Sequence, residues 1–239
     1  LFSLLTGAPR RIGFHRRDAK EGNWLFQTET IAPSDGGRQK LEQYRSFLER
    51  LGVTSGEVEF GFAPASHPVL APLRARADAG VPLVGMVLGS SWESKDWPIE
   101  GYRQLRDRLL GETRADVVLV GDRSHRERAA SLAGDPRVHD FAGKTTLSEL
   151  LELLARITVC VGPDSGPGHL ASVVGTPYIA LFGPTDPDRT APYGSEDLVV
   201  RSPIGCAPCY RRRCPGLGSL CMRLLGVESV WGRLLPFLA

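Results

Sequence analysis

Two stretches of the chain gather residue types that can hold an anion. The first is Asp164-Ser165-Gly166 with Gly168 and His169, set between the apolar run 157–161 and an Ala/Val-rich segment of helical character. Hydroxyl and small residues at a helix start leave main-chain N–H groups open to a phosphate. The same residues also read as a plain N-cap in an ordinary strand–helix–strand unit. The second stretch is Gly89-Ser90-Ser91-Trp92-Glu93-Ser94-Lys95-Asp96-Trp97-Pro98, which follows the apolar run 83–88. Ser90 and Ser91 offer hydroxyl and main-chain donors, and Lys95 a mobile positive charge. Taken singly, Lys95 reads as a surface lysine beside a tryptophan that staples a helix entry. Lys95 and Asp164-Ser165-Gly166 on one edge of one sheet read instead as an anion site. Gly121-Asp122 ends a third apolar run where a nucleoside has room to lie, and His125 and Arg126 after it read as a surface turn.

These residues need a sheet whose strands all end on one side, and the pattern from residue 83 onward supplies one. Apolar runs at 83–88, 117–120, 138–141, 157–161, 178–182 and 198–201 alternate with helical segments at 98–110, 127–132, 146–155 and 166–174. Thr146-x-x-Glu149 is a capping box. Strands alternating with helices imply a parallel α/β sheet with right-handed crossovers, whose ligands bind at the strand ends. Upstream, Leu41, Tyr44, Leu48 and Leu51 form one helical stripe ending at Gly52, residues 53–65 read as loop and strand, and 71–79 as a helix. The change of pattern between Pro64 and Pro82 marks a domain boundary. The expected parts are 1–70, a nucleotide-type domain over 71–226 and a C-terminal helix over 227–239.

Bulk properties narrow the classes. Hydrophobic residues make up 42% and charged residues 23%, as in ordinary globular chains. A net charge of +2 does not argue for nucleic acid. No apolar run nears the ~20 residues of a membrane span, and 1–5 is too short for a secretory signal. A reducing, cytosolic setting is therefore expected. Arg10, Arg11, Arg16, Arg17 and Lys20 form a basic stretch, either a solvated face or a contact for an anionic partner. Gly143-Lys144-Thr145 is not a P-loop, because Val138 stands where that motif needs glycine, and no G-x-G-x-x-G follows a strand. Cys206, Cys209, Cys214 and Cys221 are spaced closely enough for zinc or an iron–sulfur cluster, but not as paired C-x-x-C motifs. Cys160 reads as a core filler.

Several of these motifs together resemble a known family. Asp164-Ser165-Gly166-x-x-His169-Leu170-Ala171, Gly175-x-Pro177 and Leu181-Phe182-Gly183-Pro184-Thr185-x-Pro187 are similar to the signature of the lipopolysaccharide heptosyltransferases, glycosyltransferase family 9. Lys95-x-Trp97-Pro98, Leu5-Thr6-Gly7-x-Pro9-Arg10-Arg11-x-Gly13 and the cysteine stretch ending in Cys221-Met222 match it too, so the resemblance covers nearly the whole chain. It implies a GT-B architecture of two Rossmann-like domains, the back one for an ADP-sugar and the front one for the acceptor. It further implies that Lys95 contacts the diphosphate and serves catalysis, Asp164 the heptose hydroxyls, and Ser165 and Gly166 the phosphate. His169 would complete that pocket, Ser90 and Ser91 would sit at its phosphate end, and Gly121 at its nucleoside end.

The implied reaction is inverting transfer of heptose from ADP-heptose to the lipopolysaccharide inner core. It runs without a metal cofactor, on an anionic lipid-linked acceptor, in the cytoplasm or at the periphery of the inner membrane. Two departures qualify the resemblance. Leu1 matches a place well inside the front domain, so that domain is expected to be incomplete at its N-terminus, with the general base upstream. Where some relatives carry Glu, this chain has His125-Arg126. The alternatives are a donor-binding domain without turnover, or another nucleotide-sugar transferase or epimerase of the same architecture.

Overall fold

The computed structural model describes residues 2–34, 39–54, 56–216 and 218–238. Its contacts divide the chain into two compact units, Leu1–Glu59 with Asp188–Thr190, and Phe60–Pro187 with Ala191–Ala239.

The first unit holds helix α1 (Phe2–Leu5), strands β1 (Ile12–Gly13) and β2 (Glu29–Thr30), and helix α2 (Lys40–Arg50). The two strands pair in parallel, Ile12 beside Glu29. Helix α2 forms where the stripe predicts it, but Tyr44, Leu48 and Leu51 of that stripe are exposed while Gln43 and Ser46 are buried. A two-stranded sheet offers too little apolar surface to cover the whole stripe. Its one aromatic anchor is Phe14, whose ring meets those of Tyr44 and Phe47 at centroid distances of 6.4 and 5.1 Å. The basic stretch divides. Arg10 pairs with Glu29 and Arg11 donates through Nε to the Phe26 carbonyl, which leaves Arg16, Arg17 and Lys20 on the surface. The strand expected within 53–65 is absent among the described residues, where glycines and prolines interrupt the chain.

The second unit runs α3 (Ala71–Asp78), β3 (Leu83–Val87), α4 (Ile99–Glu112), β4 (Asp116–Val120), α5 (Arg126–Ala130), β5 (Val138–Asp140), α6 (Leu147–Arg156), β6 (Val159–Pro163), α7 (Gly166–Val173) and β7 (Tyr178–Phe182). Then follow α8 (Pro187–Thr190), most of which belongs to the first unit, β8 (Val200–Arg201), α9 (Leu220–Arg223) and α10 (Val227–Leu234). Six strands form one all-parallel sheet in the order β5-β4-β3-β6-β7-β8. Every residue of β3, β4, β6 and β7 is buried, as expected of strands covered by helices on both faces. Side chains alternate between two cores. Val84 and Met86 join Leu105, Leu109 and Trp231 on one face, and Leu83 and Val87 join Leu73, Leu153 and Ala171 on the other. Cys160 lies wholly buried in the second core.

The strand order fixes where a ligand can enter. From β3 the chain winds outward to β4 and β5, then returns to β6 on the other side of β3. Loops leaving neighbouring β3 and β6 therefore diverge toward opposite faces and open a crevice at the carboxyl ends. The Ser90–Lys95 loop and the Asp164-Ser165-Gly166 turn leave those two strands.

Candidate functional site

Each half of the crevice is shaped by local bonds. After β3, Asp96 accepts the Ser90 N–H at 2.8 Å through Oδ1, which folds 90–96 into a closed loop. The Ser90 hydroxyl donates to the Trp92 carbonyl at 3.0 Å and accepts the Trp92 N–H at 3.1 Å. Residues Glu93–Lys95 make one 3-10 turn. Trp97 is buried and its indole donates to the Leu225 carbonyl at 2.9 Å, anchoring the loop's far end. After β6, Ser165 occupies the N-cap of α7 in an extended conformation, with its buried hydroxyl capping nothing in its own helix. Pro167 stands in the first turn, where a missing N–H costs least.

Across the crevice the two loops meet. Lys95 Nζ lies 2.8 Å from Asp164 Oδ2 and donates to the Asp164 carbonyl at 3.2 Å. Lys95 is not the mobile surface charge that its neighbours suggest, since its side chain is only 13% exposed. Its ammonium also lies 4.5 Å from the centre of the Trp92 ring. Beside the pair opens a cavity of about 220 Å³ walled by Ser90, Ser91, Gly121, Ser165 and Gly166, all expected at the site, together with His125. A second cavity of about 360 Å³ continues at the end of β4, sharing Gly121, Asp122 and Pro167 with the first. Its outer wall is Arg123, Gly143, Thr145 and Thr146. Lys95 and Asp164 stand next to the smaller cavity and are not on its wall. His169 is exposed and lines neither cavity.

His125 is the residue that sequence reading passes over. Instead of lying on a surface turn it is 6% exposed, with Nδ1 accepting the Asp122 N–H at 3.2 Å. The Asp122 side chain in turn accepts the Ser124 N–H at 2.8 Å, so Asp122-x-x-His125 is a capping box in which histidine replaces the usual glutamate. That spacing is the signal that would have found it. Two glycines make room for the ring. A Cβ at Gly89 would stand 2.2 Å from His125 Nε2, and one at Gly121 would stand 2.9 Å from His125 Cβ.

Two carboxylates near the cavity have opposite protonation tendencies. Burial pushes Asp96 up, against the Ser90 N–H bond and the charges of Arg128 and His125, which pull it down. Asp122 is held below the usual carboxylate range, chiefly by the Ser124 hydroxyl. Farther along the sheet lies the four-cysteine segment, in which Cys206, Cys209 and Cys214 stand near enough to Cys221 to act on it electrostatically. Among the described residues no three or more His, Cys, Asp or Glu side chains are grouped to hold a metal ion. Cys206 and Cys209 are exposed, while Cys221 is buried and its thiol pushed up, first by that burial and then by the neighbouring Cys209, Cys206 and Cys214.

Comparison with known proteins agrees with this fold. Residues 1–218 match the family profile of glycosyltransferase family 9 (heptosyltransferase). The chain is 34% identical over 140 residues to lipopolysaccharide heptosyltransferase 1 of Pseudomonas aeruginosa, covering 59% of this chain and 39% of that protein. It is 30% identical over 208 residues to the lipopolysaccharide core heptosyltransferase OpsX of Haemophilus influenzae, covering 84% of this chain and 58% of that one. Its fold matches that of E. coli ADP-heptose lipopolysaccharide heptosyltransferase II with a TM-score of 0.67 at 20% identity, over 98% of this chain and 71% of the other. E. coli heptosyltransferase WaaC, solved with ADP, matches with a TM-score of 0.66 at 21% identity over 95% of this chain and 65% of the other. The expected α/β, GT-B fold class is thus the observed one. No described helix is long and apolar enough to cross a membrane.

Proposed function

Because the chain belongs to glycosyltransferase family 9, the heptosyltransferases, we propose that its second unit binds ADP-heptose for inverting transfer of heptose to the lipopolysaccharide inner core. The observation that carries this reading is the crevice between β3 and β6. There the Lys95–Asp164 pair adjoins a cavity walled by Ser90, Ser91, Ser165 and Gly166. In this reading the diphosphate lies at the start of α7, where main-chain N–H groups and the helix dipole favour negative charge. The nucleoside extends into the cavity at the end of β4, between Gly121 and Thr146.

Breaking the sugar–phosphate bond places charge on the departing ADP. Lys95 offsets it from one side of the crevice and the α7 N-terminus from the other, so stabilisation grows as the bond lengthens. Asp164 is left to accept hydrogen bonds from heptose hydroxyls once Lys95 turns to phosphate. An acceptor hydroxyl attacks the anomeric carbon from the opposite face, which inverts it. No residue of this chain is assigned as the base that takes the acceptor's proton. In this reading Lys95 and the helix carry the charge that other transferases give to a metal, and metal analysis of anaerobically purified protein tests the cysteines separately.

The acceptor reading rests on the first unit. It holds a cavity of about 690 Å³ whose charged lining is mixed, with Lys20, Lys40 and Arg189 beside Asp18 and Glu21, and with Phe14 and Tyr44 as aromatic walls. Burial, and then the charges of Arg189 and Lys20, push Lys40 down. The three cations would hold an anionic saccharide and the two carboxylates would accept hydrogen bonds from its hydroxyls, as expected for an acceptor presented at the cytoplasmic face of the inner membrane.

Titration calorimetry with ADP and UDP, followed by a transfer assay with ADP-heptose, tests the donor reading. ADP is expected to bind and UDP to bind more weakly. Lys95→Ala is expected to cost roughly ten- to a hundredfold in ADP affinity, the range for a lost charge-assisted hydrogen bond. A folded chain that ignores ADP at millimolar concentration overturns the reading.

A further inference from the structure

The cysteine- and arginine-rich segment 203–216 is the longest motif of the chain that the donor reading leaves without a task. It is an irregular strap of turns and bends, with Tyr210 at a φ of 55°. Tyr210 N–H donates to the Pro184 carbonyl at 2.7 Å, which ties the strap to the loop after β7. Behind it, Cys221 and Met222 pack over Gly183, where a Cβ would come within 2.8 Å of either sulfur.

The strap's other anchorage is the 3-10 turn that carries Lys95. Ser94 is 2% exposed, and its hydroxyl donates to the Arg211 carbonyl at 2.6 Å. The Ser94 N–H donates to the Arg212 carbonyl at 3.3 Å. The Arg212 guanidinium lies 5.4 Å from the centre of the Trp92 ring, the same ring that Lys95 Nζ approaches at 4.5 Å. Arg213 reaches Glu93 at 3.8 Å, between two exposed side chains. Trp92 is therefore met by the Arg212 side chain and Ser94 is held by the Arg211 and Arg212 carbonyls, immediately before Lys95, while Glu93 and Arg213 form only a loose exposed pair.

We infer that the Arg211–Arg213 strap is the positioning element for Lys95, with Ser94 and Arg212 as its two working contacts. The inference rests on the donor reading. A short turn carrying a lysine has no helix or strand to fix it, and a long flexible side chain placed from a loose turn loses much of its directed charge. Two main-chain carbonyls of the strap hold the turn's backbone through Ser94. Arg212 occupies part of the Trp92 face, so the indole keeps one orientation under Lys95. The strap thus acts through the turn, by two main-chain carbonyls and the Arg212 side chain, and the cysteines flank the segment that does so.

The test is a double-mutant cycle read by calorimetry with ADP and with adenosine. Ser94→Ala and Arg212→Gln are each expected to weaken ADP binding about three- to tenfold, the range for one hydrogen bond or one exposed cation–π contact. Adenosine affinity is expected to stay unchanged, because Lys95 acts on phosphate. Ser94→Thr and Arg212→Lys are expected to recover most of the loss. In a Lys95→Ala background neither substitution should weaken ADP binding further, since contacts acting through one residue are not additive. If the unmodified chain binds ADP but both variants bind it equally well, or if their losses add in full to that of Lys95→Ala, the strap does not position Lys95 and the donor reading survives. If the unmodified chain fails to bind ADP, both fall together.

Discussion

Lys95 Nζ and Asp164 Oδ2 stand 2.8 Å apart, although 69 residues separate them in the chain. One leaves β3 and the other leaves β6, so the ion pair spans the two loops at the point where the sheet reverses its winding. In the proposed reaction these two groups face different parts of one donor, phosphate for the lysine and sugar for the aspartate. Without a donor they satisfy each other, so binding must exchange one partner for another.

That exchange predicts the behaviour of Asp164→Asn. Removing the carboxylate frees Lys95 for the diphosphate, and ADP is expected to bind about three- to tenfold more tightly, the range for one released charge pair. Transfer from ADP-heptose is expected to fall, because the amide is a poorer acceptor for sugar hydroxyls than the carboxylate. Calorimetry beside a transfer assay separates the two effects. Weaker ADP binding would show that Asp164 supports the nucleotide directly.

Gly89 and His125 make a second, steric prediction. A methyl group at position 89 would sit 2.2 Å from the imidazole Nε2, so Gly89→Ala must displace the ring or the loop. Overpacking of this kind costs about 1–3 kcal/mol. Adding His125→Ala to the same chain is expected to return most of that stability. Urea denaturation of the two single variants and the double variant measures it, and additive losses would count against the close approach.

Asp96 predicts a pH dependence. Burial raises its folded-state pKa, so the folded protein holds this proton to higher pH than the unfolded chain does. Its contribution to stability is present at low pH and lost as pH rises through the folded value. Asp96→Asn keeps an oxygen for the Ser90 N–H and removes the titration. The variant is expected to melt higher than the parent at about pH 8 and to differ little near about pH 4, where the unfolded carboxyl takes up its proton. A melting difference independent of pH would exclude Asp96 as the cause.

Glu152 tests the linkage between α3 and α6. This side chain is 1% exposed, pairs with Arg74 and accepts the His67 N–H. Glu152→Ala strands both donors and is expected to destabilise the chain by about 3 kcal/mol. Glu152→Gln, which keeps an acceptor, should cost clearly less. Chemical denaturation ranks the two, and equal losses would mean that packing volume matters here more than charge.

Much of the second unit was legible before any coordinates. The apolar runs predicted β3, β4, β6 and β7 within a residue or two, because strands buried on both faces are largely apolar, and the half-buried edge strand β5 as well. Thr146-x-x-Glu149 predicted a helix start, and both reciprocal bonds of the capping box are present. The first unit was less legible. The stripe on α2 names a helix, but a stripe cannot say whether enough surface exists to cover it. His125 was misread for a related reason. A histidine after a turn looks solvent-facing in one dimension, and only Gly89, from the neighbouring end of β3, together with Gly121 at the end of its own strand, makes a buried space for its ring.

By itself, the sequence determined the alternation of strands and helices, the parallel sheet and the small, polar loops at the strand ends. Those are consequences of local periodicity and backbone preference, which neighbouring residues carry between them. Only the tertiary structure decided which loops meet. Strand order sets β6 beside β3, and no local pattern encodes order, since any parallel neighbour would satisfy the same apolar run. From that single adjacency follow the Lys95–Asp164 pair, the cavity beside it and the strap that holds the lysine's turn.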